Sequence, residues 1–374
     1  MKRKIEAKIV ADSVSPQGHR ITTFILTYPR FIHAEIMTHR MFSRNAASSR
    51  AIPFDKMVKS IQDDPFIPIA WQKDHKGMQG TEYIEDQKII DFKTGVWLQA
   101  HKEAIHRAKE LNGNISVIKK GTLKEIEGTI LENTGVTKQI CNRLLEPFMW
   151  YTNLVTATEF DNFFELRCPK YEMNEGIFRS WKDYCDTVRD IYPNSDNGYP
   201  DYNESILEKL QMSTSGAEIH IQILAEAMWD ARNESKPAKL KGGKWHIPFM
   251  DKFDDDKLFE ALYGKELPTL SQICNFEREY LKIATARAAR LSYMTFDGEI
   301  NYKKDIELHD MLLKNKHASP FEHCAKVMTN HEYETHYKGE LTKGVDYFHP
   351  DEENQGWCRN FKGFIPYRHL IEKE

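Results

Sequence analysis

An α+β fold, a mixed or antiparallel sheet wrapped by helices, is predicted by three observations. Two strand-like runs stand side by side near the N-terminus, a succession of amphipathic helical segments follows, and strand-like stretches return only briefly afterwards. Residues 5–28 read as the two strands EAKIVADSV and HRITTFILTY, joined by the turn-like SPQG. Pro29 suits the first turn of a helix over 29–40, with Ile32, Ile36 and Met37 on one face and Glu35 and His39 four apart on another. Residues 60–92 carry loop signals. A helix over 93–112 aligns Val96, Ala100, Ala104 and Ala108, and another through VTKQICNRLL breaks near Pro147. FMWYTNLVTATEFDNFFELR reads as a short extended piece and then a helix.

Residues 168–216, rich in Tyr, Asp, Asn, Pro and Ser, read as a polar insertion holding a helix or two. A strong helix over 217–232 comes next. KPAKLKGGKWHIP, residues 236–248, has the Lys, Gly and Pro content of a linker. Helices over 255–263, 271–289 and 303–316 and a short strand at CAKVM complete a chain read as one large domain, 1–374.

Bulk properties narrow the function. Forty per cent hydrophobic and 29% charged residues belong to a soluble globular protein. A net charge of -4 disfavours a nucleic-acid coat or a membrane-seeking surface, while permitting local basic pockets. MKRKIEAKIV lacks the apolar run of a signal peptide, and no stretch approaches the ~20 apolar residues of a membrane span. The six cysteines are scattered without a CxxC pair or ligand spacing, so neither a disulfide scaffold nor a metal site is expected. A cytoplasmic protein is the expectation.

Chemistry concentrates in four clusters. THRMFSRNAASSR, residues 38–50, holds three arginines, a histidine, three serines, a threonine and an asparagine, with too few apolar residues for a core stripe. Arginine forks and hydroxyls suit an anion, although a solvated helix end with serine caps would read the same. Arg143 and Arg167 flank an aromatic stretch, where a half-buried guanidinium needs an internal carboxylate or a ligand. HASPFEH, residues 317–323, reads locally as a helix start with Ser319 as N-cap, Pro320 at N1 and Glu322 at N3, leaving His323 free to face a ligand. ATARAARLSY places Arg287 and Arg290 beside alanines that allow close approach of a backbone or flat ligand; a plain amphipathic helix explains it equally well.

Together these segments resemble the flavin-dependent thymidylate synthase family. The run Thr38-His39-Arg40, seven residues, then Ser48 is similar to that family's RHR-x7-S motif. RLLEPFMWYT, NFFELR and AEIHIQILAEA resemble its later segments, while ATARAARLSY and HASPFEH resemble blocks it carries at its N-terminus. Here those blocks, at about 280–330, come last, as in a circular permutation.

The resemblance implies a thymidylate-synthase-complementing-protein-like fold. It also implies methylation of a pyrimidine deoxynucleotide, most simply dUMP to dTMP, using FAD, NADPH and methylenetetrahydrofolate. It further implies a homo-oligomer, a tetramer or similar, with shared active sites. By carry-over, Arg50 and Arg143 grip the nucleotide phosphate, assisted by backbone amides around Ala47 to Ser49. Ser48 orients the pyrimidine, and Arg167 faces its carbonyl edge. Glu35 also falls on the nucleotide side. Thr38, His39 and Arg40 contact the flavin, and Asn162 and His323 help to place it.

This chain departs from the family at Thr38 (arginine), Glu35 (glutamine), Ala46 (glutamate), Ser49 (glycine) and the Thr156–Thr158 stretch of a flavin-binding element. Three other readings stand beside the first: a different pyrimidine product such as a hydroxymethylated or cytosine nucleotide, a non-catalytic nucleotide-binding protein, and a phosphate-directed hydrolase.

Overall fold

The computed structural model describes residues 2–76, 80, 82–113, 135–193, 200–202, 204–264, 276–291, 301–336 and 354–372. Strands β1 (Glu6–Val14) and β2 (Arg20–Pro29) pair antiparallel across the SPQG turn, where Gly18 takes φ +86°. A 3-10 turn, Arg30–Ile32, leads into α1 (His33–Met37), and β3 (Ser43–Ala46) follows. Next come α2 (Phe54–Asp63), α3 (Gln87–Asn112), α4 (Lys138–Cys141), the 3-10 segment Asn142–Phe148 and β4 (Trp150–Ala157).

After β4 the chain forms α5 (Asp161–Arg167), the hairpin β5 (Tyr171–Met173) and β6 (Gly176–Phe178), α6 (Trp181–Ile191), α7 (Ile206–Met212) and α8 (Ile219–Glu234). The short strands β7 (Ala238–Lys239) and β8 (Trp245–His246) precede α9 (Asp255–Tyr263), α10 (Phe276–Leu291) and α11 (Tyr302–Lys314). A 3-10 turn, Ser319–Glu322, then leads to β9 (Ala325–Val327) and α12 (Asn330–Thr335). The described chain closes with β10 (Trp357–Cys358), β11 (Phe361–Lys362), β12 (Phe364–Pro366) and α13 (Tyr367–Ile371).

The main sheet runs β3-β4-β2-β1-β7, antiparallel except for the parallel β1–β7 pair, so the fold is α+β with a mixed sheet. Its largest core gathers Phe24, Leu26 and Tyr28 of β2, Val155 of β4, Phe160, Phe163 and Phe164 around α5, and Ile221, Leu224 and Met228 of α8. Every residue of β4 except Thr152 is buried, as befits a strand covered on both faces. A second, antiparallel sheet runs β12-β9-β8. No helix among the described residues is long and apolar enough to cross a membrane.

Three expectations are corrected. The helix over 29–40 ends at Met37, because the Arg44 guanidinium donates to the carbonyls of Ile36 (3.2 Å), Met37 (2.9 Å) and His39 (3.4 Å) and the Thr38 hydroxyl donates to that of Glu35 (2.6 Å). The charged stretch beyond it therefore becomes a turn and an edge strand. Residues 236–248 are no linker. They lay β7 beside β1 and β8 beside β9, and a Cβ on Gly242 would stand 3.1 Å from the Thr329 backbone. Ser319 is not an N-cap; Ala318 holds that position, and the Ser319 hydroxyl turns to Asn45 Oδ1 (3.4 Å).

Beside Arg287, the Asn45 side-chain amide of β3 donates to the Ala288 carbonyl of α10. The insertion expected at 168–216 packs its β5–β6 hairpin and α6 against the α8 carboxylate Glu226, which accepts the Trp181 amide at 2.7 Å.

Candidate functional site

At the end of α5, Arg167 reaches back to the α1 segment. Its Nη1 lies 3.1 Å from Glu35 Oε2, and its Nε donates to His39 Nε2 at 3.2 Å. Three residues singled out from two separate stretches of sequence thus meet in one hydrogen-bonded cluster. His39 is buried between Phe42 (centroids 5.8 Å apart) and Phe163 (4.9 Å, edge-on). Burial, with the positive charges of Arg167 and Arg44, pushes its pKa down to about 4, so the ring is neutral and its Nε2 accepts.

Burial and the nearby Glu218 carboxylate raise the Glu35 pKa against the pull of Arg167. Glu218 itself caps α8, accepting the His220 and Ile221 amides. The Arg167 side chain remains 21% exposed and that of Glu35 31%. Of the five N–H donors of a guanidinium, Arg167 commits one on Nε and one on Nη1 to described residues.

The turn after β3 forms a second wall. Asn142 donates to the carbonyls of Ser49 (2.7 Å) and Ile52 (3.0 Å), binding this turn to the 3-10 segment that carries Arg143. The Ser49 hydroxyl donates to Glu146 Oε1 at 2.5 Å, and the other Glu146 oxygen faces Arg30 at 3.6 Å. Arg30 in turn lies over the Tyr151 ring, 4.9 Å from its centroid. Lys138 Nζ donates to the Ala51 carbonyl.

Arg50 and Arg143 project from these two tied segments. Both are exposed and neither is ion-paired with a described residue. Ser48 is half-buried, and its carbonyl accepts the Ala51 and Ile52 amides. Ala47 is corrected: its amide donates to the Thr152 carbonyl at 2.9 Å within the sheet, so it has no proton left for a phosphate. Glu146, Arg30, Asn142 and Lys138 escaped sequence reading. Beyond their places in or near the PRFIHAEIMTHR and RLLEPF stretches, the sequence carried no mark of them.

His323 is also corrected. It is 1% exposed, and its Nδ1 bonds Thr156 Oγ1 at 2.8 Å rather than facing open space. Thr156 continues to Thr23 (2.8 Å), Thr23 to His246 (2.8 Å) and His246 to Ser13 (2.9 Å), a polar chain threaded between the main sheet and the 317–323 segment. Burial and His246 push the His323 pKa down to about 3, so it is held neutral.

Thr38, Arg40 and Asn162 are exposed, whereas His39 and His323 are enclosed. Two of the five residues expected around a flavin are thus buried in this chain. The nucleotide-side residues Arg50, Arg143, Ser48 and Arg167 do keep accessible polar atoms.

No family model matches the chain, and no curated protein does. Among solved structures it is similar to a UMP/dUMP methylase, PolB, from Streptomyces cacaoi bound with 5-Br dUMP. That likeness has a TM-score of 0.39 and 12% identity over 62% of this chain and 92% of the other. The same methylase bound with 5-Br UMP gives a TM-score of 0.39 and 14% identity over 62% and 90%. At these values the likeness carries no argument about fold or function, so any functional reading rests on the residues.

Proposed function

We propose that the chain is an enzyme that modifies a pyrimidine nucleotide, with the phosphate on Arg50 and Arg143 and the base edge on Arg167. One observation carries the reading: Arg167, Glu35 and His39, each marked by the sequence resemblance, converge in space while the arginine keeps donors and surface. Two guanidiniums on tied segments suit a phosphate dianion, which each can grip in bidentate fashion. Ser48, on the same turn, is placed to orient the ring.

Glu35 and His39 hold two edges of Arg167 and so limit its swing. A guanidinium restrained in that way stabilises negative charge building on a uracil carbonyl without reorganising at the moment of reaction. The finer reading, C5 methylation of dUMP with methylenetetrahydrofolate, FAD and NADPH, rests on the sequence resemblance alone. With His39 and His323 enclosed, a flavin would have to be completed by further surface. We extend the proposal to a homo-oligomer with shared sites, in which a second copy supplies it.

Calorimetric titration with dUMP and with deoxyuridine tests the nucleotide reading. A two-arginine phosphate grip predicts that deoxyuridine binds about 100-fold more weakly, and that Arg50→Ala and Arg143→Ala each weaken dUMP about tenfold. Equal affinity for the two ligands, or no binding of either, would sink the proposal. Mass analysis of dUMP incubated with the three cofactors then separates dTMP from any other product.

A further inference from the structure

Away from the nucleotide-side residues, one cluster brings soft and nitrogen donors together. A nitrogen of His336, the Cys358 sulfur and a nitrogen of His369 all lie within 4.8 Å of one another. They come from three elements: the end of α12, β10 and α13. We infer that His336, Cys358 and His369 bind a zinc ion, with the fourth position left to water.

The donor set argues for zinc. One thiolate and two imidazoles suit a tetrahedral, borderline-soft d10 ion, whereas magnesium and calcium take oxygen. Bonds of about 2.0–2.3 Å place ligand atoms roughly 3.3–3.8 Å apart. The cluster therefore closes on an ion by side-chain movements of about an ångström. Cys358 is buried beside Met328 and Ile365, and the two histidines are half-buried, a shell that limits access of water.

At His336, tautomer and backbone are already set for it. His336 Nδ1 donates to the Glu332 carbonyl at 2.7 Å, which leaves the Nε2 lone pair as the ligating atom. The His336 carbonyl accepts the Gly356 amide at 2.8 Å, holding the first ligand's backbone two residues from Cys358. Gly356 sits at φ +76°, and a Cβ there would run into the Tyr333 ring. Arg359, paired with Glu372, donates from Nε to His369 Nδ1 at 3.5 Å, a long contact that zinc at that nitrogen would replace. On binding, the thiol proton of Cys358 passes to solvent.

The ion would clip the C-terminal segment to α12. That segment supports β3, because Asn360 donates to the Met41 carbonyl and the Ser43 hydroxyl, each at 3.0 Å. None of this depends on what the nucleotide-side residues bind.

The test uses the full chain, expressed with zinc and purified without a metal-chelating tag. Elemental analysis should find about one zinc per chain. Exchange into Co(II) should produce a tetrahedral visible spectrum and a thiolate-to-cobalt charge-transfer band, and Cys358→Ser should lose the latter. Should that variant fail to fold, the wild-type spectrum and metal content still decide. Less than about a tenth of an equivalent of zinc after incubation with the ion, a different metal in its place, or a cobalt spectrum without the thiolate band would each overturn the inference.

Discussion

Arg167 and Arg287 both lie in stretches that the sequence marks as functional, and the fold treats them in opposite ways. Arg287 is sealed: its side chain is 4% exposed, its Nε lies 3.7 Å from Asp305, and its guanidinium covers the Phe253 ring at 4.5 Å. Asp305, equally sealed, also takes Arg290 at 2.7 Å. Burial lowers the Arg287 pKa and raises that of Asp305, each against its partner's pull, so two desolvated charges are balanced by one another. Arg167 meets its carboxylate at a rim where both side chains keep a fifth or more of their surface. A pair between such exposed groups is worth about 0–1 kcal/mol. Packing alone gives little reason for an arginine there, and a ligand gives one.

The largest test of that contrast is Arg167→Ala. It should cut turnover of dUMP by about 100- to 1,000-fold, while the urea-unfolding free energy moves by less than about 1 kcal/mol. Steady-state kinetics and denaturation on the same preparation decide it. A stability loss with unchanged kinetics would move Arg167 into the class of Arg287.

Arg287→Ala supplies the converse. Removing one partner strands part of the Asp305 charge in a dry site and should lower unfolding free energy by about 3 kcal/mol, moderated by Arg290. Nucleotide affinity, measured where the variant is folded, should change less than about twofold. A large loss of affinity at full stability would mean that α10 reaches the ligand after all.

How much of this was legible follows from where polar residues point. β1 and β2 showed themselves because their strand-like runs flank a four-residue turn signal. β3 did not, since its buried positions are Ser43 and Asn45, polar groups satisfied by Asn360 and by the Ala288 carbonyl far along the chain. Residues 236–248 look like a linker because Gly242, which allows a close approach to Thr329, is also the kind of residue that loosens a linker. In the site, resemblance singled out Arg167 and His39, but only the fold shows that they touch and that His323 is spent on Thr156. The His336, Cys358 and His369 cluster left no spacing to read, because each ligand arrives from a different element.

Glu226 offers a third case, a buried carboxylate with hydrogen bonds but no ion pair among the described residues, and the smallest expected effect. It accepts the Trp181 amide at 2.7 Å and the Tyr171 hydroxyl at 3.4 Å, and burial raises its pKa to about 7. A carboxyl whose folded pKa lies above its unfolded value binds more protons in the native state, so stability falls as pH rises through the folded pKa. Asp230, raised to about 6, adds to that slope at lower pH. His33, His39 and His246, lowered to about 4, and His323, lowered to about 3, oppose it until the unfolded histidines, with a pKa of about 6.5, have lost their protons. Between about pH 6.5 and 8 the Glu226 term by itself is a loss of slightly under about 1 kcal/mol, and the half proton still to leave each unfolded histidine offsets it, so the term is read by difference. Glu226→Gln keeps an acceptor for Trp181 and removes the proton, so the wild-type urea-unfolding free energy should fall relative to the variant's by slightly under about 1 kcal/mol over that window. Parallel curves for the two proteins would show that Glu226 is charged throughout and that water or Lys209 supplies the counterpart Asp305 finds in its arginines.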